Sequence, residues 1–149
     1  MGIDTTTINK LLGDISIFEG TFASDTLPII SKRPCAFIVN TDPANLPGEH
    51  WNAILLRNGG KGEFFNSFGL PPIIPNIQNY IRLQCPNGFT FSKFCIQHPE
   101  SDMCGLYCVD FIRSRVNGES MEHFLGHFTP DLWRNDIILE KRILNYGGG

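Results

Sequence analysis

The sequence contains no apolar run approaching the roughly 18 residues that a membrane-spanning helix requires, so no membrane contact is expected. It has no basic cluster of the kind that tracks phosphates. Lys32-Arg33 and Lys141-Arg142 are isolated pairs in a chain of net charge −3 and pI about 5.7, so nucleic acid is not supported as a partner. None of its five cysteines stands at zinc-ribbon spacing, and neither a metal nor a cofactor is expected. Their odd number fits a reduced, intracellular protein better than a disulfide framework. Internal repeats are absent, as is low complexity outside the closing Gly147-Gly148-Gly149. The start, Met1 to Lys10, is polar and Thr-rich and does not read as a signal peptide.

What is present describes a single globular domain over residues 1–149 with a flexible Gly tail at 147–149. Hydrophobic residues make up 42% and charged residues 18%, enough to build a core, and most of the 12 phenylalanines fall in alternating or helical patterns.

Thr5 to Gly13 predicts a short helix, and Phe18 to Pro28 an anchored loop with a turn at Ser24-Asp25. Pro34 to Asn40 is a buried strand and Thr41 to Glu49 a loop. Trp51 to Arg57 and Glu63 to Phe68 form a hairpin about Asn58-Gly59, where a tight primed turn is expected. Asn76 to Leu83 is a helix, and Phe89 to Gln97 alternates as a further antiparallel strand. A helix starts near Cys104, capped by Ser101 or Asp102, and ends near Asn117-Gly118. Ser120 opens a short helix. Thr129-Pro130 opens the last one, running from Asp131 to about Leu144. Strands grouped in the middle with helices on either side argue an α+β fold with a central, mostly antiparallel sheet.

One stretch carries chemistry. Cys104 stands at a helix N-terminus, where free N–H groups and the helix dipole favour a thiolate. The hairpin brings a possible base to it: with the symmetry centre at residue 58, His50 and Asn66 are cross-strand neighbours within about 5.5 Å. His50 would serve as base to the thiol and Asn66 would orient its ring. The Cys104 N–H and the Gln97 amide would receive an oxyanion. Each residue also has an ordinary reading. Cys104 is a small core residue, His50 a packed strand histidine, Asn66 a turn former and Gln97 a strand-end surface residue. His98, His123 and His127 read as surface or helix-packing residues. His123 and His127 stand four apart and could ligate a metal, but no acidic or cysteine neighbour is evident to complete a site.

Taken together, His50-Trp51, Phe65-Asn66-Ser67-Phe68-Gly69, Gln97 and Cys104-Gly105 resemble the adenovirus-type cysteine proteases (adenain). They also resemble the wider clan that includes SUMO-specific proteases. The resemblance runs from about Phe18 to Ile138. Phe22 to Pro28 and Asn135-Asp136 look like relatives encoded by animal DNA viruses and virus-like DNA transposons. It implies an adenain-like α+β fold with the catalytic Cys at a helix N-terminus. It also implies Cys104 as nucleophile, His50 as base, Gln97 in the oxyanion hole and Asn66 as orienter, with Trp51 and Gly105 as substrate-binding residues. The family places Asp or Glu where this chain has Asn66, and its members are longer. The implied function is a cysteine endopeptidase cutting beside glycine, at Gly-Gly-type sites, in viral or virus-like structural proteins. Partners would be Gly-containing polypeptides and an activating peptide, inside a host cell or virion. A deconjugating isopeptidase for ubiquitin-like modifiers is the alternative within the enzyme class. A catalytically weak relative serving as a binding module is the alternative outside it. Asn145-Tyr146-Gly147-Gly148-Gly149 resembles a cleavage site of this family as much as a plain tail.

Overall fold

The structure, a computed structural model, describes residues 3–42, 45 and 50–148. The rest of the predicted 41–49 loop, the start at Met1-Gly2 and the final Gly149 lie outside the described residues.

Helix α1 (Thr5–Leu11) begins where the Asp4 carboxylate accepts from the Thr7 N–H. Five strands follow, namely β1 (Phe18–Phe22), β2 (Cys35–Asn40), β3 (Trp51–Arg57), β4 (Lys61–Phe65) and β5 (Phe89–Phe91). They form one sheet in sequence order. Helix α2 (Pro75–Gln84) lies between β4 and β5 in the chain. Helices α3 (Cys104–Val116), α4 (Met121–Leu125) and α5 (Leu132–Gly148) close it.

Alternation along the strands sorts side chains to the two faces. Ala36, Ile38, Ala53, Leu55 and Phe65 meet Ile8, Tyr107, Cys108, Phe111, Phe124 and Leu139 from α1, α3, α4 and α5. Cys35, Phe37, Val39, Ile54, Leu56 and Phe64 meet Ile77 and Ile81 of α2. Covered on both faces, β2 and β3 read as unbroken apolar runs, which is why they were legible.

The α+β expectation stands, with corrections at the sheet edges. The inner pairings β2–β3 and β3–β4 are antiparallel, but β1–β2 and β4–β5 are parallel, so the sheet is mixed. The expected 18–28 loop starts instead as strand β1, bulged between Phe18 and Thr21 where Gly20 takes a φ of 124°. The expected strand over 89–97 stops at Phe91. It runs parallel to β4 because the α2 connection carries the chain back to the same end of the sheet. The hairpin loop holds three residues, 58–60, with Gly59 and Gly60 at positive φ, rather than a two-residue turn. No side chain caps α3; its N-cap is Met103, and the Ser101 hydroxyl accepts from the Met103 N–H. Helix α5 continues through Gly148, past the expected end at Leu144 and into the expected flexible tail. At the other end of α3, Arg115 grips buried Glu63 of β4 through two hydrogen bonds of 2.8 and 2.6 Å. This grip fixes how the helix lies on the sheet.

Candidate active site

His50 precedes β3, and its carbonyl accepts from the Thr41 N–H at 2.9 Å, which extends the β2–β3 ladder by one step. Asn66 follows β4. The register pairs Arg57 with Lys61, so the symmetry centre is residue 59, not 58. Continued outward, it sets His50 opposite Phe68, and the two rings stack at 4.7 Å with planes 16° apart. Asn66 reaches His50 along the diagonal, and His50 Nε2 lies 3.0 Å from Asn66 Oδ1.

The tautomer follows from a second contact. The Phe68 N–H donates to the same Asn66 Oδ1 at 2.9 Å, which marks that atom as the amide oxygen. His50 Nε2 must therefore donate to it, and in the neutral ring Nδ1 keeps the lone pair. Asn66 is itself locked: its N–H donates to Ser92 Oγ at 3.0 Å, and that hydroxyl donates back to the Asn66 carbonyl at 2.9 Å. Burial pushes the His50 pKa down, while the Asn66 hydrogen bond pulls it up less strongly.

Cys104 is the first residue of α3 and is buried. Its thiol lies against the main chain of Trp51, the residue after His50. Burial pushes its pKa up, and the Asp102 charge adds to the rise. The main-chain N–H groups of Trp51, Gly105 and Cys104 pull it down by less. Desolvation thus opposes the helix-terminus effect on which a resting thiolate was expected, and is the larger cause. Both shifts run toward the neutral forms, a thiol and a neutral imidazole. Among the described residues no hydrogen bond joins Cys104 to His50; Trp51 is the structural link between them. Cys108 donates to the Trp51 carbonyl at 3.3 Å, and burial, then the Cys104 charge, pushes its pKa well up, so it behaves as a packed thiol.

Gln97 is buried, not a surface residue. The Ser67 hydroxyl donates to Gln97 Oε1, which turns Nε2 toward Ser101, whose carbonyl accepts from it at 2.8 Å. Gln97 is thus bonded to the loop that leads into Cys104, with one amide hydrogen left over. The segment before it is held in turn. The Ser67 carbonyl accepts from Ile96 N and Gln97 N, and Asn135 Nδ2 of α5 donates to the Ile96 carbonyl at 2.8 Å. Gly69 permits this docking, since a Cβ there would lie 2.7 Å from Cys95 N, and its φ is 77°.

Trp51 lies with its main chain against Cys104 and its indole beside Gly105. Gly105 stands in the first turn of α3 beside Cys104. It is buried, and a Cβ there would lie 2.8 Å from Ile3 Cγ1 and 3.1 Å from Trp51 Cδ1. It lets Ile3 and the indole close over the helix start. Sequence reasoning gave no role to Ser67, Phe68 or Asn135, although it quoted all three, and missed Ser92. The first two stand inside the quoted Phe65 to Gly69 stretch, and the signal that could have found them is that motif itself. Beside His50 a cavity of about 270 Å³ is lined by Asn66, Phe68, Leu70, Pro71 and Ile73. Asn52 also lines it, and its Oδ1 is buried without a hydrogen-bond partner. The remaining histidines lie elsewhere. His98 stacks on Trp133 at 4.1 Å. His123 and His127 stack at 5.2 Å, and Glu119 supplies the acidic neighbour that the sequence reading found missing.

A thiol at a helix start, a histidine with a fixed tautomer and a locked amide are the kinds of group that thiol–imidazole acyl transfer uses. The relatives of the chain carry names of that class. The chain is similar to the SUMO-1 cysteine protease of African swine fever virus from a Namibian warthog isolate, 32% identical over 75% of this chain. It is also similar to the cysteine protease of a Malawi tick isolate of that virus, 34% identical over 64% of this chain. The chain spans 46% and 40% of the lengths of these relatives, less than half of each. The crystal structure of the African swine fever virus protease matches with a TM-score of 0.50 at 28% identity, covering 75% of this chain and 44% of that one. The central domain of an uncharacterized Legionella pneumophila protein shares the fold at 11% identity, with a TM-score of 0.53 over 99% of this chain and 97% of that one. No family model matches the chain.

Proposed function

We propose that this chain is a cysteine protease of the adenain and SUMO-protease clan that cuts polypeptides beside glycine, at Gly-Gly-type sites in viral or virus-like structural proteins. The observation that carries the reading is the His50–Asn66 bond, with Phe68 N–H on the same oxygen. It leaves Nδ1 as the free base of a histidine whose neighbour, Trp51, lies against the Cys104 thiol.

In this mechanism His50 Nδ1 takes the Cys104 proton as the sulfur attacks the scissile carbonyl carbon. The carbonyl π pair moves to oxygen, which receives hydrogen bonds from the free Gln97 amide hydrogen and the Cys104 N–H. The intermediate collapses, the C–N bond breaks, and the imidazolium gives its proton to the leaving amine. Water, deprotonated by His50, then hydrolyses the thioester and restores the thiol. Burial of both groups favours their neutral forms before substrate arrives.

A second reading is favoured by the relatives named as SUMO-1 cysteine proteases. In it the scissile bond is an isopeptide after the Gly-Gly tail of a ubiquitin-like modifier. Incubation with a Gly-Gly-Ala peptide and with a lysine-linked modifier conjugate separates the two. Cleavage after Gly-Gly by the wild type and none by Cys104→Ala is expected. Cleavage by Cys104→Ala, or none by either protein on both substrates, contradicts the reading.

A further inference from the structure

The strongest unassigned cluster lies away from this site, where α3 turns into α4. Glu119, His123 and His127 are spaced four apart, and their ligating atoms all lie within 4.8 Å of one another. His127 Nε2 already sits 2.8 Å from Glu119 Oε2. We propose that these three side chains form a binding site for a borderline divalent cation, Zn²⁺ being the natural candidate. Two imidazoles and a carboxylate suit zinc, whereas Mg²⁺ and Ca²⁺ prefer all-oxygen sets. Bonds of about 2.0–2.2 Å place tetrahedral ligand atoms roughly 3.4 Å apart. The present separations, 2.8 Å for His127 to Glu119 and at most 4.8 Å for any pair, bracket that spacing, and His123 is exposed.

The main chain holds the three carriers in place before any ion arrives. Glu119 N donates to the Ser114 carbonyl at 3.0 Å, and the Glu119 carbonyl accepts from Arg115 at 2.7 Å. His123 N donates to Ser120 Oγ at 3.0 Å, and His127 N to the Phe124 carbonyl at 3.2 Å. Fully buried Phe124 anchors the turn between the two histidines in the core. The cations nearby are already engaged: Arg115, on the Glu119 carbonyl, is bound to Glu63 at 2.6 Å, and Arg142, whose charge acts on Glu119, is bound to buried Asp110 at 2.7 Å. An ion here would clamp the end of α3, the helix that begins with Cys104, to α4. With three protein ligands, the fourth position is left to water or to a group from another molecule.

The test is calorimetric titration of Zn²⁺ into the full chain and its variants, with cobalt absorption as a second readout. Expected is one site whose affinity falls by roughly tenfold or more in His123→Ala and in Glu119→Gln, and which survives in Cys104→Ala. Bound cobalt should show no thiolate charge-transfer band. Binding that is unchanged in His123→Ala and Glu119→Gln overturns the proposal. So does binding that disappears in Cys104→Ala, or a cobalt spectrum of thiolate ligation, since either assigns the ion to the cysteines.

Discussion

Two histidines in this molecule each place Nε2 on a side-chain oxygen, and the partners differ in kind. His50 meets the neutral amide of Asn66 at 3.0 Å, mostly buried, under the ring of Phe68. His127 meets the carboxylate of Glu119 at 2.8 Å, where both side chains stay about a quarter exposed. A carboxylate stabilises an imidazolium by charge; an amide oxygen fixes a ring's tautomer and contributes far less to its charged form. The surface pair therefore suits holding a cation, proton or metal. The buried pair suits a base that stays neutral until a proton is handed to it. The same residue type acquires different chemistry from its partner and its exposure to water.

The comparison breaks most sharply when the buried pair is removed. Cys104→Ala should abolish Gly-Gly peptide hydrolysis, and His50→Ala should lower it by about 10²–10⁴-fold, read from initial rates. Wild-type rates in His50→Ala would remove histidine from the mechanism. Next in size is Asn66→Ala, which strips the acceptor from both His50 Nε2 and Phe68 N. A buried donor left without a partner costs about 1–3 kcal/mol. The expected loss is therefore about ten- to a hundredfold, seen in kcat with KM little changed. A change confined to KM would show that Asn66 serves binding instead.

Asn66→Asp sharpens the comparison by giving the buried histidine the surface pair's kind of partner. The carboxylate should raise the His50 pKa, so the acid limb of the pH–rate profile and the His50 NMR titration should both move to higher pH. Turnover should be retained or raised. An unmoved titration would mean the pair does not sense its partner.

A smaller effect is on stability. Because His50 is held below its ordinary pKa, its contribution is intact above about pH 6.5 and is lost as pH falls through its folded value. Cys104, pushed above its ordinary pKa, contributes fully below about pH 9 and less as pH rises through its folded value. Urea midpoints against pH should fall at both ends, and His50→Gln should flatten the acid side. The smallest expected effect is on turnover in His127→Ala, which should match the wild type in metal-free buffer. A large loss there would mean the surface pair reaches the site.

Much of this was legible in the chain. The strands β2, β3 and β4 announce themselves because both faces of the sheet are covered and the hairpin carries two glycines. Cys104, His50, Asn66 and Gln97 were singled out by their order and residue types, and of these the structure joins His50 to Asn66 and ties Gln97 to the loop before Cys104. Strand β1 was hidden by its length and by Gly20. The parallel course of β5 is a fact about how α2 crosses, which local alternation cannot report. Ser67 and Ser92 escaped because their bonds to Gln97 and Asn66 join residues 30 and 26 apart. The helix position that favours a Cys104 thiolate is visible in a sequence, whereas the burial that opposes it is not. Glu119 was overlooked because it precedes the Ser120 cap and lies outside the helix that carries His123.

The central claim is that His50 activates Cys104, and the other cysteines supply the control. Cys95 is exposed, while Cys35, Cys85, Cys104 and Cys108 are buried. The most direct measurement is labelling by a thiol-reactive probe ending in Gly-Gly, mapped by mass spectrometry across pH 5–9. The account predicts that buried Cys104 is modified faster than exposed Cys95, and that this preference vanishes in His50→Ala. Labelling led by Cys95, with Cys104 no faster in the wild type than in His50→Ala, would contradict it.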